Sequence, residues 1–410
     1  MKSIYVIAIA SRLLTIALGA LIYCFTGSYD SSSEIQLKGN SFLTAFLRWD
    51  SLYFLHIADQ GYVYEQETAF FPLLPYLARL ATNTVFFPLQ SVFGKRYTLL
   101  LSGVVFANAS FILAAGTLYR LTLALMPKNK ALASATAIAF CLSPPTMFMS
   151  AFNSESVFAL LSFKGMYWAA QKRYLSAAAI WGIASAARSN AIIYSGFFIY
   201  DFVVKQLWHD KKTAIIGILK AIPYTLLTMS GFALFQYYGY SEFCVLDRPW
   251  CSSKLPLLYS FVQKEYWGNG FLSYYELKQI PNFLLAAPII MISILGLKAY
   301  IQHDYIRFLT LGALQQKTKL GKDTFFSSSL LAHMYLWLFL LLFVTTSMHV
   351  QVIIRFFTSL PPLYWYIGHI WIKGFGPENS STRIANMILG YFVFYGLSGI
   401  VLYSAFLPPA

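Results

Sequence analysis

The chain has 410 residues, of which 58% are hydrophobic and only 11% are charged. An ordinary soluble domain carries roughly 25% charged residues, so a soluble fold could not hide so much apolar surface, whereas a lipid bilayer could. The net charge of +14 comes without a nucleic-acid-binding motif. It therefore indicates basic cytoplasmic loops that are attracted to anionic lipid headgroups, and we expect no nucleic-acid partner.

Apolar segments that approach the thickness of a bilayer recur along the whole sequence. They lie at about 4–25, 97–125, 131–150, 155–170, 174–187, 190–207, 213–238, 281–301, 330–348, 351–371 and 386–407. The first lacks a convincing cleavage site, so it is predicted to be a retained helix and not a signal peptide. We predict an all-α polytopic membrane protein, a single domain over residues 1–410, with about eleven transmembrane helices.

Between the first two apolar segments lies a long loop, residues 27–96. Its stretch Leu52 to Ala58 has the apolar pattern of a short amphipathic helix at the membrane surface. The stretch Ala69 to Gln90 contains Pro72, Pro75 and Pro88. Prolines at that density break a spanning helix, so this stretch is predicted to be re-entrant or interfacial.

The distribution of Lys and Arg favours a cytoplasmic amino terminus and a basic cytoplasmic loop at 302–329. This orientation places loops 27–96 and 239–280 on the opposite, lumenal face. Cys244 and Cys251 lie close together in the second of these loops, and their spacing suits a local disulfide in an oxidising compartment. The sequons at Asn108 and Asn379 fall inside a helix and on the cytoplasmic side, so we expect neither to be glycosylated.

The first lumenal loop holds Arg48-Trp49-Asp50 and, further on, Glu65 and Glu67. Aspartate is both a favoured helix cap and a usable general base, so spacing alone leaves both roles open for Asp50. A solvated loop is the simpler explanation for the two glutamates. Asn153-Ser154-Glu155 opens a helix, and here capping competes with substrate binding.

Polar residues also interrupt apolar stretches on the same face at Arg188-Ser189-Asn190 and at His349, Gln351 and Arg355. Ionisable groups at membrane depth are costly and mark functional sites, although an arginine can also snorkel for structural reasons. A guanidinium in such a place can hold a phosphate with two parallel hydrogen bonds, which lysine cannot do.

Carboxylates and arginines that meet at one rim suit a reaction on a lipid-linked sugar phosphate. The phosphate is already a good leaving group, so the site needs cations to hold it and one carboxylate to accept the proton of the attacking hydroxyl. Asp50 fits the base, and Arg188 or Arg355 fits the phosphate clamp. A secondary transporter could use similar residues, but the sequence lacks paired broken helices in corresponding halves. No Cys/His cluster has metal-ligand spacing.

Several ordered motifs resemble the family of second mannosyltransferases of glycosylphosphatidylinositol (GPI) anchor assembly, most closely its fungal members. The matching segments run almost end to end: Arg48-Trp49-Asp50-Ser51, Tyr64 to Phe70, Asn153-Ser154-Glu155, Ala187-Arg188-Ser189-Asn190, Phe243-Cys244, Trp250-Cys251, Tyr266-Trp267-Gly268-Asn269-Gly270, Ile280-Pro281-Asn282-Phe283, His349-Val350-Gln351 and Ala405 to Ala410.

The resemblance implies a GT-C-type glycosyltransferase of the endoplasmic reticulum membrane whose active site faces the lumen. It implies transfer of an α-1,6-linked mannose from dolichyl-phosphate mannose to the one-mannose GPI precursor, by single displacement, with no metal or separate cofactor. Fungal members are also associated with a small membrane partner subunit. Another dolichol-dependent mannose transfer, a lipid or ion transporter and a non-catalytic scaffold stay open as alternatives.

Mapped onto this chain, the resemblance assigns the acidic residue of the first lumenal loop to Asp50, with Trp49 shaping the sugar site. Many relatives have a histidine where Gln66 stands, and this difference moves weight to Glu65 and Glu67. We therefore predict Asp50 as the catalytic base. The predicted substrate-binding residues are Trp49, Glu65, Glu67, Asn153, Glu155, Arg188, Asn190, His349, Gln351 and Arg355.

Overall fold

The computed structural model describes residues 1–39, 41–207, 211–246, 248–314, 324–377 and 380–408. Within these ranges the chain consists of α-helices, short 3₁₀ turns and loops, and no β-strand occurs. The predicted all-α class is thus confirmed. The sequon residue Asn379 and part of the predicted basic loop, 315–323, lie outside the described residues.

The helices alternate between long membrane-length elements and short pieces. The amino-terminal part contains α1 (Lys2–Phe25), α2 (Ser32–Leu37), α3 (Asp50–Gln60), α4 (Leu73–Asn83), α5 (Gln90–Phe93) and α6 (Lys95–Leu125). The middle contains α7 (Lys130–Cys141), α8 (Glu155–Ala170), α9 (Tyr174–Ser185), α10 (Ser195–Ile199), α11 (Lys205–Leu207) and α12 (Lys211–Phe243). The remainder contains α13 (Leu258–Glu265), α14 (Ile280–His303), α15 (Tyr305–Leu309), α16 (Leu331–Ser347), α17 (Ile353–Phe356), α18 (Pro361–Phe375) and α19 (Thr382–Ser404).

The described part of the chain contains six helices that are long and apolar enough to cross a membrane, namely α1, α6, α12, α14, α16 and α19. The prediction of about eleven crossings is therefore not confirmed. The segment 190–207 is divided among 3₁₀, α- and π-helical turns. In the segment 351–371, Pro361 and Pro362 begin a new helix, because proline lacks the N–H that would continue the preceding one.

The predicted short amphipathic helix is present as α3, and it packs against α4 and α6. Its residues Phe54, Leu55, Ile57 and Ala58 are buried. Arg79 of α4 donates hydrogen bonds of 2.6 and 2.8 Å to the carbonyl oxygens of Ala58 and Ile57. A cation at the last carbonyls satisfies the end of a helix, so α4 holds α3 in place.

The non-helical stretch between α7 and α8 is anchored by Arg12, which interrupts the first apolar segment. The Arg12 guanidinium is buried and donates to the carbonyl oxygen of Thr146 at 3.0 Å and to the Ser150 hydroxyl at 2.9 Å. It also lies 3.8 Å from the ring centroid of Phe111. These contacts satisfy a charged group inside the bundle and fix the loop that leads to Glu155.

Close packing between α9 and α12 positions the turn that carries Arg188. A side-chain carbon added at Gly231 would lie 2.3 Å from the backbone oxygen of Gly182, so the two helices touch through their backbones there. Small residues allow such an approach between membrane helices. The backbone N–H of Leu73 bonds the carbonyl oxygen of Ala186 at 3.0 Å, which ties this turn to the first loop.

Candidate active site

The described part of the chain forms an open cavity of about 440 Å³. Its wall is built from segments that are far apart in sequence. The lining residues include Trp49, Asp50, Phe70, Phe148, Arg188, Asn190, Tyr259, Trp267, Asn269, Asn282, His349, Gln351 and Arg355. Seven of the eleven predicted site residues are therefore on this wall: Trp49, Asp50, Arg188, Asn190, His349, Gln351 and Arg355.

Two carboxylates and two guanidinium groups form one network at the cavity, which we call the charged cluster: Asp50, Glu155, Arg188 and Arg355. Arg355 donates to Glu155 Oε1 through Nε at 2.7 Å and reaches Asp50 Oδ2 through Nη2 at 2.5 Å. Arg188 Nη1 bonds the same Glu155 oxygen at 3.0 Å. With both acids ionised the four formal charges cancel, so the cluster can tolerate its partial burial.

Asp50 is the first residue of α3, and Trp49 precedes it as the helix cap. The backbone of Trp49 has φ +53°, in the left-handed region that non-glycine residues rarely adopt. Backbone strain of this kind persists only where the surroundings impose it, and it is concentrated at functional sites. Because Trp49 occupies the cap position, Asp50 is not the cap of α3. Its side chain contacts Arg355, and the positive end of the helix dipole of α3 stabilises its negative charge.

The residues before Asp50 are fixed by buried contacts. Arg48 is fully buried and pairs with Glu34 at 3.2 Å. The hydroxyl of Tyr403 donates to the carbonyl oxygen of Arg48 at 3.1 Å and also contacts Ser51 at 3.0 Å. Arg48 thus anchors the loop. The buried contacts of Arg48 and Ser51, the residues close to Asp50 in sequence, fix the backbone that carries the Asp50 carboxylate beside the cavity.

Asn153 and Glu155 support the cavity without lining it. The Asn153 amide donates to the hydroxyl of Tyr403 at 3.2 Å and accepts from Ser51 at 3.3 Å. Glu155 is fully buried at the start of α8, where it orients both arginines of the charged cluster. The predicted helix start is correct, but neither side chain caps it; both are used to position cavity residues.

A second group of wall residues is organised around Tyr274. The Tyr274 hydroxyl accepts from Asn282 at 2.8 Å and donates to Gln351 at 3.4 Å. Its ring stacks on His349 with centroids 4.4 Å apart. Burial is the main influence on His349 and lowers the pKa of its imidazole below the ordinary value. His349 is therefore neutral at neutral pH and offers a hydrogen bond and not a positive charge.

Glu65 and Glu67 do not line the cavity, because both have structural partners. Glu67 accepts from the backbone N–H groups of Val63 and Tyr64 at 2.9 and 3.0 Å and also contacts His56. This is the geometry of a capping carboxylate at the turn Glu65–Ala69. The position of these two glutamates therefore does not support the prediction that they bind substrate, which stays untested.

Glu65 joins the first loop to the loop at 239–280. It accepts from Arg248 at 2.6 Å, from the indole of Trp250 at 2.7 Å and from the hydroxyl of Tyr266 at 2.9 Å. Cys244 and Cys251, which flank Arg248 and Trp250, are joined by the disulfide expected from their spacing. Glu65 thus connects the two loops beside the cavity, and the disulfide closes the second loop on itself around two of the residues that bond Glu65.

Replacing Glu65 by glutamine is expected to destabilise this contact in a pH-dependent way. Burial acts to raise the pKa of Glu65, but the bonds from Arg248, Trp250 and Tyr266 outweigh it and lower the pKa below its ordinary 4.5. The stabilisation is therefore complete above the ordinary pKa and is lost as the pH falls through the lowered one. We expect a loss of about 1–2 kcal/mol at pH 7, discounted because Arg248 is partly exposed.

The measurement is the unfolding temperature in detergent at several pH values. Glu276→Gln is the matched control, since Glu276 pairs with Lys278 on the exposed surface and should have little effect. A difference between wild type and Glu65→Gln that stays constant from pH 7 to pH 3 would show that Glu65 does not act through its charge.

The cavity wall also contains polar residues that were not predicted as site residues. They are Ser154, Ser189, Tyr259, Gln263, Trp267, Asn269 and Asn282. Trp267, Asn269 and Asn282 lie within segments that carry the family resemblance, so that signal was available. Gln263 and Tyr259 belong to α13, an amphipathic helix in an otherwise polar loop, and no sequence spacing connects them to the cavity.

Comparisons with known proteins agree with this architecture. The profile of the family described as Mannosyltransferase (PIG-V) matches residues 5–410. The GPI alpha-1,6-mannosyltransferase 2 of Cricetulus griseus is 30% identical, and the alignment covers 99% of this chain and 98% of that protein. The GPI mannosyltransferase 2 of Aspergillus fumigatus is 31% identical over 95% of this chain and 89% of that protein.

The solved structures show the same fold at low identity. An archaeal oligosaccharyltransferase from Archaeoglobus fulgidus, in complex with an inhibitory peptide and a dolichol-phosphate, matches with a TM-score of 0.52 and 11% identity. The match covers 97% of this chain and 56% of that one, so this chain spans a little over half its length. That likeness establishes a GT-C-type fold, and the family profile with the full-length relatives shows that the chain belongs to the PIG-V mannosyltransferase family.

Proposed function

We propose that this chain transfers the second mannose of the GPI anchor. The donor is dolichyl-phosphate mannose, the acceptor is the one-mannose GPI precursor, and the new linkage is α-1,6. The names of full-length relatives support the reaction. The observation that carries the mechanism is the charged cluster at the cavity, where Asp50 and two arginines meet from segments up to 305 residues apart.

The reaction is a single displacement at the anomeric carbon of the donor mannose. The 6-hydroxyl oxygen of the acceptor mannose forms the new bond to that carbon, and the bond between the carbon and the phosphate oxygen breaks. Asp50 accepts the proton of the attacking hydroxyl, and dolichyl phosphate leaves with the electron pair. A carboxylate held by Arg355 at the wall of a cavity is suited to this role as general base.

The departing phosphate gains negative charge, which Arg188 and Arg355 are placed to stabilise. Glu155 orients both guanidinium groups in the absence of substrate. The ring centroid of Phe148 lies 4.1 Å from the guanidinium carbon of Arg355. Pre-oriented donors stabilise charge without reorganisation during the reaction. His349 adds a neutral hydrogen-bonding group, so the two arginines supply the charge at this site, and we propose no separate cofactor.

The location of the reaction is part of the proposal. We place the chain in the endoplasmic reticulum membrane as a multi-pass protein with the cavity open to the lumen. The disulfide between Cys244 and Cys251 lies in the loop 239–280, which contributes residues to the cavity wall. A disulfide supports an oxidising compartment on the side of the membrane where this loop lies. A small membrane partner subunit, as in fungal relatives, belongs to the same proposal.

Complementation with a lipid readout tests the function. Cells that lack their second GPI mannosyltransferase but retain its partner subunit receive either the intact chain or Asp50→Asn, and GPI precursors are resolved after mannose labelling. The intact chain should clear the one-mannose intermediate, and the variant, at equal abundance, should not. Persistence of that intermediate with the intact chain, or clearance of a later one, would contradict the proposed step.

A further inference from the structure

Three side chains on the cavity wall carry polar groups with no hydrogen-bond partner among the described residues. They are the amide of Asn190, through both Nδ2 and Oδ1, and the indole Nε1 of Trp49 and of Trp267. Asn190 is only 7% exposed. More than nine-tenths of buried polar groups in proteins are paired, so three such residues on one cavity require an explanation.

An unpaired indole by itself is weak evidence. Trp337 and Trp371 also have unpaired Nε1 atoms, and both lie in the apolar core away from the cavity. Asn190 is different because an amide has both donors and an acceptor, and all of them are unpaired. Its neighbour Ser189 already donates to the hydroxyl of Tyr259 at 2.8 Å, so the same turn satisfies one wall residue and leaves the next unpaired.

The pattern of donors and acceptors restricts the ligand. A phosphate diester has only acceptor oxygens at neutral pH, so it cannot pair with the carbonyl oxygen of Asn190. A hydroxyl group can, because it both donates and accepts. Indole N–H groups donate to hydroxyl oxygens. Trp267 and Phe70 both line the cavity and meet edge to face with centroids 5.7 Å apart, so they add apolar aromatic surface that suits the C–H groups of a sugar ring.

We propose that Asn190, Trp49 and Trp267 form a hexose-binding subsite in which Asn190 pairs with ring hydroxyls through both amide atoms. The proposal rests on the proposed function and deepens it by separating sugar contacts from phosphate contacts. Asn190 lies two residues after Arg188, which caps the same 3₁₀ turn, and both line the cavity. A ligand whose phosphate contacts Arg188 therefore presents its sugar within reach of Asn190.

The hexose could be the donor mannose or the acceptor mannose, and the experiment has one arm for each. Transfer rates are measured with native substrates and with deoxy-mannose analogues of the donor, then of the acceptor. Wild type should discriminate against the analogue that lacks the contacted hydroxyl by about tenfold or more in kcat/KM. Asn190→Ala should lose that discrimination on one arm, which identifies the bound sugar, and retain it on the other.

Trp267→Phe is the second variant, since it keeps an aromatic ring and removes the N–H. Its matched control is Trp337→Phe, which removes an unpaired indole N–H away from the cavity. Asn83→Ala is the control for the amide, because Asn83 is exposed at the end of α4. Both controls should discriminate like wild type. Wild-type discrimination on both arms in Asn190→Ala and in Trp267→Phe would overturn the proposal.

A binding readout separates this proposal from the proposed function. The rise in unfolding temperature caused by dolichyl-phosphate mannose, or by the one-mannose GPI precursor, is compared with that caused by its counterpart without mannose. Wild type should gain more from the mannose-bearing lipid of one pair, and Asn190→Ala should not. This outcome would support the subsite even in a chain that transferred no mannose. Equal shifts within both pairs in wild type would overturn the subsite even if transfer occurred.

Discussion

Replacing Asp50 by asparagine is expected to lower the rate of mannose transfer by about 10²–10⁴-fold, the range typical of a lost general base. Asparagine keeps the shape of the side chain and one oxygen that can accept from Arg355, but it cannot take up the proton of the attacking hydroxyl. The loss should therefore appear in the rate and only weakly in stability. Both are measured on purified protein, as transfer rate and as unfolding temperature.

Asp59→Asn is the matched control for this variant. Asp59 lies on the same helix, α3, and forms ion pairs with Lys95 at 2.7 Å and Arg96 at 3.0 Å away from the cavity. The same chemical change there should leave the transfer rate nearly unaltered. An Asp50→Asn protein that retained half of the wild-type rate would remove Asp50 from the role of base.

Replacing Glu155 by leucine is expected to have the largest effect on stability. The carboxylate is fully buried and accepts from both arginines of the charged cluster, so its removal leaves two guanidinium groups short of a partner. Removing one partner of a buried ion pair typically costs about 3–5 kcal/mol. The unfolding temperature should fall sharply, and transfer should be abolished because the arginines lose their orientation.

The double variant Glu155→Leu/Arg188→Leu distinguishes the two effects. Removing both partners of a buried pair is far less costly than removing one, so part of the stability should return. Activity should not return, because the phosphate clamp has lost Arg188. Recovery of activity together with stability would show that Glu155 and Arg188 serve only the fold.

The sequence predicted the parts of the site that depend on local pattern. The helix α3 followed from its amphipathic spacing, and Arg188 from its position as an ionisable residue that interrupts an apolar stretch. Asp50 followed from its place in the first lumenal loop and from the family resemblance. The contact between Asp50 and Arg355 joins residues 305 positions apart, and no spacing rule could reveal it. The roles themselves stay predictions until the variants are measured.

The sequence could not show which residues surround Glu65 and Glu67. Both are acids in a polar loop, and Glu65 bonds Arg248, which is 183 residues away in sequence. Their role as substrate ligands stays a prediction. The predicted count of about eleven crossings is not confirmed, because several of the apolar segments form helices of the described residues that are shorter than the six membrane-length ones. Segments such as 190–207 are apolar enough to be buried in a bundle yet change helix type several times.

Reconstitution of the chain in liposomes with its partner subunit tests the central claim most directly. Dolichyl-phosphate mannose and a one-mannose GPI precursor are supplied, and the linkage of the product is determined by digestion with linkage-specific mannosidases. We predict a two-mannose product joined by an α-1,6 bond, formed by wild type and not by Asp50→Asn. A product with another linkage, or equal product from the Asp50→Asn protein, would contradict the proposed reaction or its catalytic base.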